Sequence, residues 1–279
     1  MHDDRSITEQ RLRRVLGERI RPAVHSRPVP LTVERWEAPG EPVPVAEALA
    51  APYRPCAAGD AWGPAWGTTW FKVTGEVPAD WAGRTVEAVL DLGFDRMMPG
   101  FQCEGLVHRA DGSEVKALNP YNDWVRVADA AAGGERVEWY VEAASNPVLV
   151  EHAPTSEGDR LTSGDRPLYR LARMDLTVFE AEVWELVQDL DVLAGLMPQL
   201  GEDDARRYEI LRAVDSALDE VDLGDVAGTA AAAPARPARG VDEGAAAGAD
   251  GGDEQGPFGG GAAGRQRGPA RGGRGGGTA

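Results

Sequence analysis

The sequence predicts a mainly β protein with helices: an antiparallel β-sandwich of jelly-roll type, then an α-helical hairpin, then a disordered tail. Three observations carry this. Between Trp66 and Val150, short β-branched and aromatic runs recur every ten or so positions, with turn residues between them. From Leu176 to Met197 the apolar period changes from two to about 3.6. Beyond Ala233 the apolar rhythm stops and glycine dominates.

Taken in order, the first segment is 1–64. Ile7, Leu12, Leu16 and Ile20 have roughly helical spacing with charges between them, which predicts a short amphipathic helix over 7–20. From Arg21 to Pro64 prolines come too often for regular structure, so this stretch is expected to wrap over a neighbour in extended form. Within it "LTVERWEA" reads as one strand. The sandwich domain is expected over 65–170, with strands in "TTWFKVTGEV", "RTVEAVLDLG", "EGLVHRA", "EVKAL", "WVRVA" and "RVEWYVEAAS". "RADGSEV" is the clearest hairpin, because Asp111-Gly112 supplies the turn.

A helical connector is expected over 171–230. Leu176, Phe179, Val183, Trp184, Leu186, Val187, Leu190, Leu193 and Met197 share one broad face, and Pro198 and Gly201 stop the helix. A second, antiparallel helix opens at "EDDARRYEILRAVDSALDEVDL", with Leu211, Val214, Leu218 and Val221 inward. Residues 231–279, rich in Gly, Ala, Arg and Pro, hold too little apolar surface to offset chain entropy.

Composition narrows the functional classes. The chain of 279 residues is 42% apolar, ample for a core, and its net charge of −17 repels nucleic acid and anionic membrane surfaces. No run approaches the ~18–20 apolar residues of a membrane span, and "MHDDRSITEQ" is no signal peptide, so a cytoplasmic location is expected. Cys56 and Cys103 are far apart and lack CxxC partners, which predicts two reduced thiols.

Catalytic constellations are scarce. His2, His25, His108 and His152 are scattered, and His2 with Asp4 is the sole H-x-D. His25 and His108 read as ordinary surface or half-buried residues. There is no G-x-S-x-G elbow, P-loop or HExxH. Glu180, Glu182, Glu185, Asp189 and Asp191 fall on the solvated side of a helix, and Asp203 and Asp204 at a helix start. Trp184, on the apolar stripe, reads as core. By contrast, "GFDRMMPGFQCEG" (93–105) and "LNPYNDW" (118–124) gather Asp95, Arg96, Gln102, Asn119, Asn122, Asp123 and Trp124 near strand ends. Amides, a charge pair and an aromatic suit hydrogen bonds to hydroxyls and stacking on a sugar face. The same residues could instead cap turns and pack against a neighbouring domain.

"WGPAWGTTWFKVTGEVPADWAGRTVEAVLDLGFDRMMPGFQCEGLVHRADGSEVKALNPYNDWVRV", "VEAASNP" and "PLYRLARMDLTVFEAEVWELVQDLDVL" closely resemble the N-terminal portion of cytosolic-type α-mannosidases of glycoside hydrolase family 38, over roughly residues 5–230. The resemblance implies a sandwich and connector that precede a catalytic α/β domain. That domain carries a Gly-His-Ala-His-Ile-Asp-like segment binding a divalent metal, usually zinc, and an aspartate nucleophile of a retaining mechanism. None of those residues falls on this sequence, so no cofactor is expected in this chain.

The likeness ends near Ala233, together with the apolar rhythm, which points to a frameshift there. The leading expectation is therefore the N-terminal, non-catalytic part of an α-mannosidase, inactive alone. Its partners would be an α-mannoside or the missing catalytic domain, and an exposed docking surface would favour a homo-oligomer. The alternatives are a free-standing carbohydrate-binding module and an oligomerisation or interaction fragment.

Overall fold

The computed structural model describes residues 5–40, 42–98, 100–147, 159–201, 203–230 and 233. The tail expected over 231–279 lies outside them apart from Ala233, as do the His2–Asp4 pair and His152. In chain order the first strands are β1 (His25–Pro30), β2 (Thr32–Glu37), β3 (Arg54–Cys56), β4 (Ala61–Pro64), β5 (Thr68–Glu76) and β6 (Val86–Asp91). They are followed by β7 (Glu104–Arg109), β8 (Glu114–Leu118), β9 (Trp124–Ala128), β10 (Arg136–Ala144), β11 (Pro167–Arg170) and β12 (Arg173–Phe179). Helices are α1 (Arg5–Val15), α2 (Val45–Leu49), α3 (Ala181–Leu196), α4 (Ala205–Glu220) and α5 (Val226–Thr229).

A six-stranded sheet in the order β3-β2-β5-β10-β7-β8 faces a four-stranded sheet in the order β1-β12-β6-β9, and every pairing is antiparallel. Period-2 alternation builds the core between them. Val86, Ala88 and Leu90 of β6 and Met174, Leu176 and Val178 of β12 meet Phe71 and Val73 of β5 and Val107 of β7. By the same alternation Glu87, Val89 and Asp91 point to the other face of the four-stranded sheet. The Asp111-Gly112 hairpin joins β7 to β8: Gly112 takes φ 84°, and the Ser113 amide donates to Asp111 Oδ1 at 2.9 Å.

The two-stranded pair β4 and β11 closes one end of the sandwich through Trp62. This residue is 1% exposed, donates from its indole nitrogen to the Leu92 carbonyl at 2.8 Å, and lies edge-on to Phe71 with ring centroids 5.5 Å apart. Tyr169 of β11 packs on its other side at 5.2 Å.

Three expectations need correction. The proline-rich stretch is not merely a wrap, because it supplies β1, β2, β3, β4 and α2. Its prolines are tolerated where strand rules allow: Pro28 and Pro30 lie in β1 and Pro55 in β3, both edge strands, and the register of β1 is irregular between Ser26 and Val29. Secondly, Leu176 and Phe179 belong to β12, which carries the sandwich past residue 170 to Phe179. The spacing 176-179-183 satisfied a helical template by coincidence, while Met174, Leu176 and Val178 obeyed the strand's period. Thirdly, His108 is 2% exposed, neither superficial nor half-buried, and stacks on Trp70 with ring centroids 5.3 Å apart.

The helices form a second core. Leu12, Leu16 and Ile20 meet Val183, Leu186 and Leu190 of α3 and Ile210, Val214 and Leu218 of α4. Pro22 lacks the N–H that would continue α1, and the chain leaves the helix through a π turn (Leu16–Ile20) and a 3₁₀ turn (Arg21–Val24). Asp204 caps α4, accepting from the Arg206 amide at 2.9 Å. Arg11 bridges Asp215 at 2.7 Å and Asp219 at 2.6 Å, and Arg207 reaches Glu9 at 3.0 Å. The first helix is thus fastened to α4, about two hundred residues away in sequence.

Both cysteines are free, and burial pushes the Cys103 thiol up to about 12 and the Cys56 thiol up to about 11. A thiol whose folded pKa lies above its unfolded value stabilises the fold below the unfolded pKa, near 9, and loses that contribution as pH rises toward the folded value. We expect unfolding free energy to fall between about pH 9 and 11, and less steeply in a Cys103→Ala variant. Ellman's reagent at pH 8 should modify Cys103 only after denaturation. Rapid labelling of both thiols in the native chain would contradict this.

Candidate functional site

On the outward face of the four-stranded sheet, between the sandwich and the helical layer, lies a cleft of about 600 Å³. Its sandwich wall is made by Val89 and Asp91 of β6, Trp124 of β9 and the loop residues Arg96, Tyr121 and Asp123. The opposite wall comes from Gly17, Arg21 and Pro22 in the turns after α1, and from Trp184, Val187 and Gln188 of α3. His25, at the start of β1, lies where the two walls meet.

The structure divides the seven residues singled out from the sequence. Arg96, Asp123 and Trp124 reach the cleft. Arg96 Nη2 holds Asp123 Oδ2 at 2.6 Å, and the Asp123 side chain is 8% exposed. The other four shape the loops behind. Asp95 Oδ1 accepts from the Met97 amide at 2.9 Å, while Gln102 staples the same loop, its Oε1 accepting from the Asp95 amide at 2.8 Å and its Nε2 donating to the Asp95 and Met98 carbonyls. Asn119 Oδ1 accepts from the Tyr121 amide at 3.0 Å, and Asn122 Nδ2 donates to the Ala117 carbonyl at 2.9 Å. These bonds aim Arg96 and Tyr121, and the Tyr121 hydroxyl donates to the Arg96 carbonyl at 3.0 Å. Gly93, with φ 103°, starts the loop; a side chain there would fall against the Arg170 carbonyl.

This architecture has known relatives. A family model described as the jelly-roll domain of α-mannosidase matches residues 29–177. The chain belongs to this family. Human α-mannosidase 2C1 is 30% identical over 176 residues, which cover 61% of this chain and 16% of that protein. The mouse protein of the same name is 25% identical over 185 residues, 65% of this chain and 17% of that one. α-Mannosidase G of Dictyostelium discoideum is 21% identical over 181 residues, 64% of this chain and 16% of its own length. The chain therefore covers 16 to 17% of the length of these relatives. Among solved structures, a Faecalibacterium prausnitzii β-glucuronidase matches at 13% identity and a TM-score of 0.33, over 55% of this chain and 32% of that one.

In this α-mannosidase jelly roll, the outward face of β6 carries a buried charge cluster beside the cleft. Glu87 is 1% exposed; its Oε2 lies 2.7 Å from His25 Nε2, and its Oε1 is 3.1 Å from Arg126 Nη2, close enough to pair but not aligned as a hydrogen bond. Thr177 of β12 donates to the Glu87 carbonyl at 3.1 Å. Lys116 of β8 places Nζ 3.0 Å over the Trp124 ring, where burial lowers its pKa. Burial raises the Asp123 pKa, and Arg96 opposes that shift.

Two readings of the helix region also change. Trp184 is 46% exposed and lines the cleft instead of the core: it stands one position past buried Val183 and so turns away from the stripe. Glu180 is not a solvated helix acid. It accepts from Ser26 Oγ at 2.5 Å and from Arg84 Nη2 at 2.7 Å, tying β1 to the end of β12.

Among the described residues, no group of three or more His, Cys, Asp or Glu side chains is placed to hold a metal. The described side chains therefore offer no ligand set for the divalent ion that the resemblance places on a catalytic domain. Sequence reasoning missed Asp91, Tyr121, Arg173, Trp184 and the Glu87 cluster. Only Asp91, a carboxylate at the end of an apolar strand run, left a local signal. No helix among the described residues is long and apolar enough to cross a membrane.

Proposed function

We propose that this chain acts as the N-terminal, non-catalytic part of an α-mannosidase, and that hydrolysis of α-linked mannose and its divalent metal belong to a catalytic portion outside it. The observation that carries the reading is the family match over 29–177, which falls on the sandwich of a chain that spans 16 to 17% of the length of its α-mannosidase relatives. The cleft's carboxylates are engaged in structure: Asp123 pairs with Arg96, and Asp91 Oδ1 accepts the Gly93 and Phe94 amides at 2.9 Å.

A docking role suits the loop beside the cleft, where Met97 is 88% exposed and Phe101 71%, because large apolar side chains on one loop favour a protein neighbour. The catalytic portion of the enzyme is the neighbour we assign to them, in a cytoplasmic setting that keeps both thiols reduced.

The test is an assay of the purified chain with an aryl α-mannoside, with and without added zinc. No turnover above the buffer rate is expected. Metal-dependent turnover that co-purifies with the chain and is abolished by a chelator would overturn the proposal.

A further inference from the structure

We infer that the cleft between the four-stranded sheet and the helical layer is a binding site for one neutral pyranose unit. The assignment goes beyond the docking role and does not depend on it, since a chain without hydrolase activity can bind a sugar or fail to.

Three features point to that ligand class. The first is charge balance. Each arginine of the lining already holds a carboxylate: Arg21 with Asp191 at 2.7 Å, Arg96 with Asp123 at 2.6 Å and Arg173 with Asp175 at 2.8 Å, while His25 Nε2 is taken up by Glu87 Oε2 at 2.7 Å. An anion would have to break one of these pairs, whereas a neutral ligand need not. The second is the supply of directed polar groups. Asp91 spends Oδ1 on two backbone amides, and its other oxygen has no further partner among the described residues. That oxygen accepts from hydroxyls. Gln188, exposed on the helical wall, can both donate and accept, and sugar hydroxyls need both.

The third feature is the aromatic pair. Tyr121, 65% exposed, stands on the sandwich wall, and Trp184, 46% exposed, on the helical wall. Flat apolar faces on both walls suit the C–H faces of a pyranose ring, while Lys116 occupies one face of Trp124 and leaves that ring as backing. The volume of about 600 Å³ falls within the ~300–1,000 Å³ of small-molecule sites.

The probe is methyl α-D-mannopyranoside, titrated into the full chain and followed by chemical shifts, with inorganic phosphate titrated in parallel. A monosaccharide has about a dozen non-hydrogen atoms, so saturation with a Kd on the order of 1 mM is expected. Trp184→Ala and Asp91→Asn should each weaken binding about tenfold, the latter keeping an oxygen for the Gly93 and Phe94 amides. Leu161→Ala, exposed and outside the lining, should leave it unchanged. Unaltered thermal unfolding of each variant shows that the fold survives, and if one variant unfolds the other still decides. No saturation by about 50 mM sugar, unchanged wild-type affinity in both cleft variants, or preferential binding of phosphate would overturn the assignment.

Discussion

Trp62→Ala is expected to lower the unfolding free energy by about 3–5 kcal/mol, a large share of the ~5–15 kcal/mol of a typical domain. Trp62 is almost fully buried, and its loss would open a void against both Phe71 and Tyr169. It would also leave the Leu92 carbonyl without its indole donor, an unmet acceptor in an apolar interior. Because Trp62 lies in β4, the damage should spread to β11, whose Tyr169 pairs with Trp62 across the ladder. Denaturant unfolding of the variant beside Trp62→Phe checks this. The phenylalanine variant keeps the packing and loses the hydrogen bond, and should recover more than half of the loss. A shift below about 1 kcal/mol for the alanine variant would show that the β4–β11 pair is not seated on the sandwich core.

The second large effect is expected at Glu87, where replacement by alanine should cost about 2–4 kcal/mol. Breaking a buried pair leaves its partners uncompensated, at about 3–5 kcal/mol when all are buried; His25 and Arg126 retain some solvent, which reduces the figure. The opposite truncation, Arg126→Ala, strands the buried Glu87 carboxylate with His25 as its remaining neighbour, and should cost at least as much, about 3–5 kcal/mol. A loss at Arg126 well below that at Glu87 would contradict the account, because it would show that a stranded buried carboxylate costs little here. His25→Gln beside these variants separates the contribution of β1, since His25 is the cluster's link to that strand.

The legibility of the fold followed the physics of each segment. β5 to β10 were readable because they alternate apolar and polar residues between clear turn signals, and the Asp111-Gly112 hairpin sits where its sequence placed it. β1 and β3 were hidden by prolines, which are excluded from central strands but acceptable at the edges these two occupy. β12 was obscured because its apolar residues run into α3 without a break in hydropathy. Of the cleft, the loop residues Arg96, Asp123 and Trp124 were legible as polar and aromatic groups at strand ends. Trp184, Asp91 and Arg21 were not, because only the packing of the helical layer on the sheet brings residues from 21, 91 and 184 to one place.

The fastening of α1 to α4 sets a schedule for the growing chain. Residues 5–24 find their apolar partners in 183–193 and 210–221, so the helical core cannot close until roughly two hundred further residues have been made. At about 5–20 residues per second that interval lasts about 10–40 s, during which Leu12, Leu16 and Ile20 have no native face to bury against. β1 waits almost as long, since its ladder partner β12 begins at Arg173. Residues 5–24 are therefore among the last of the described residues to be seated, although they precede every partner in sequence.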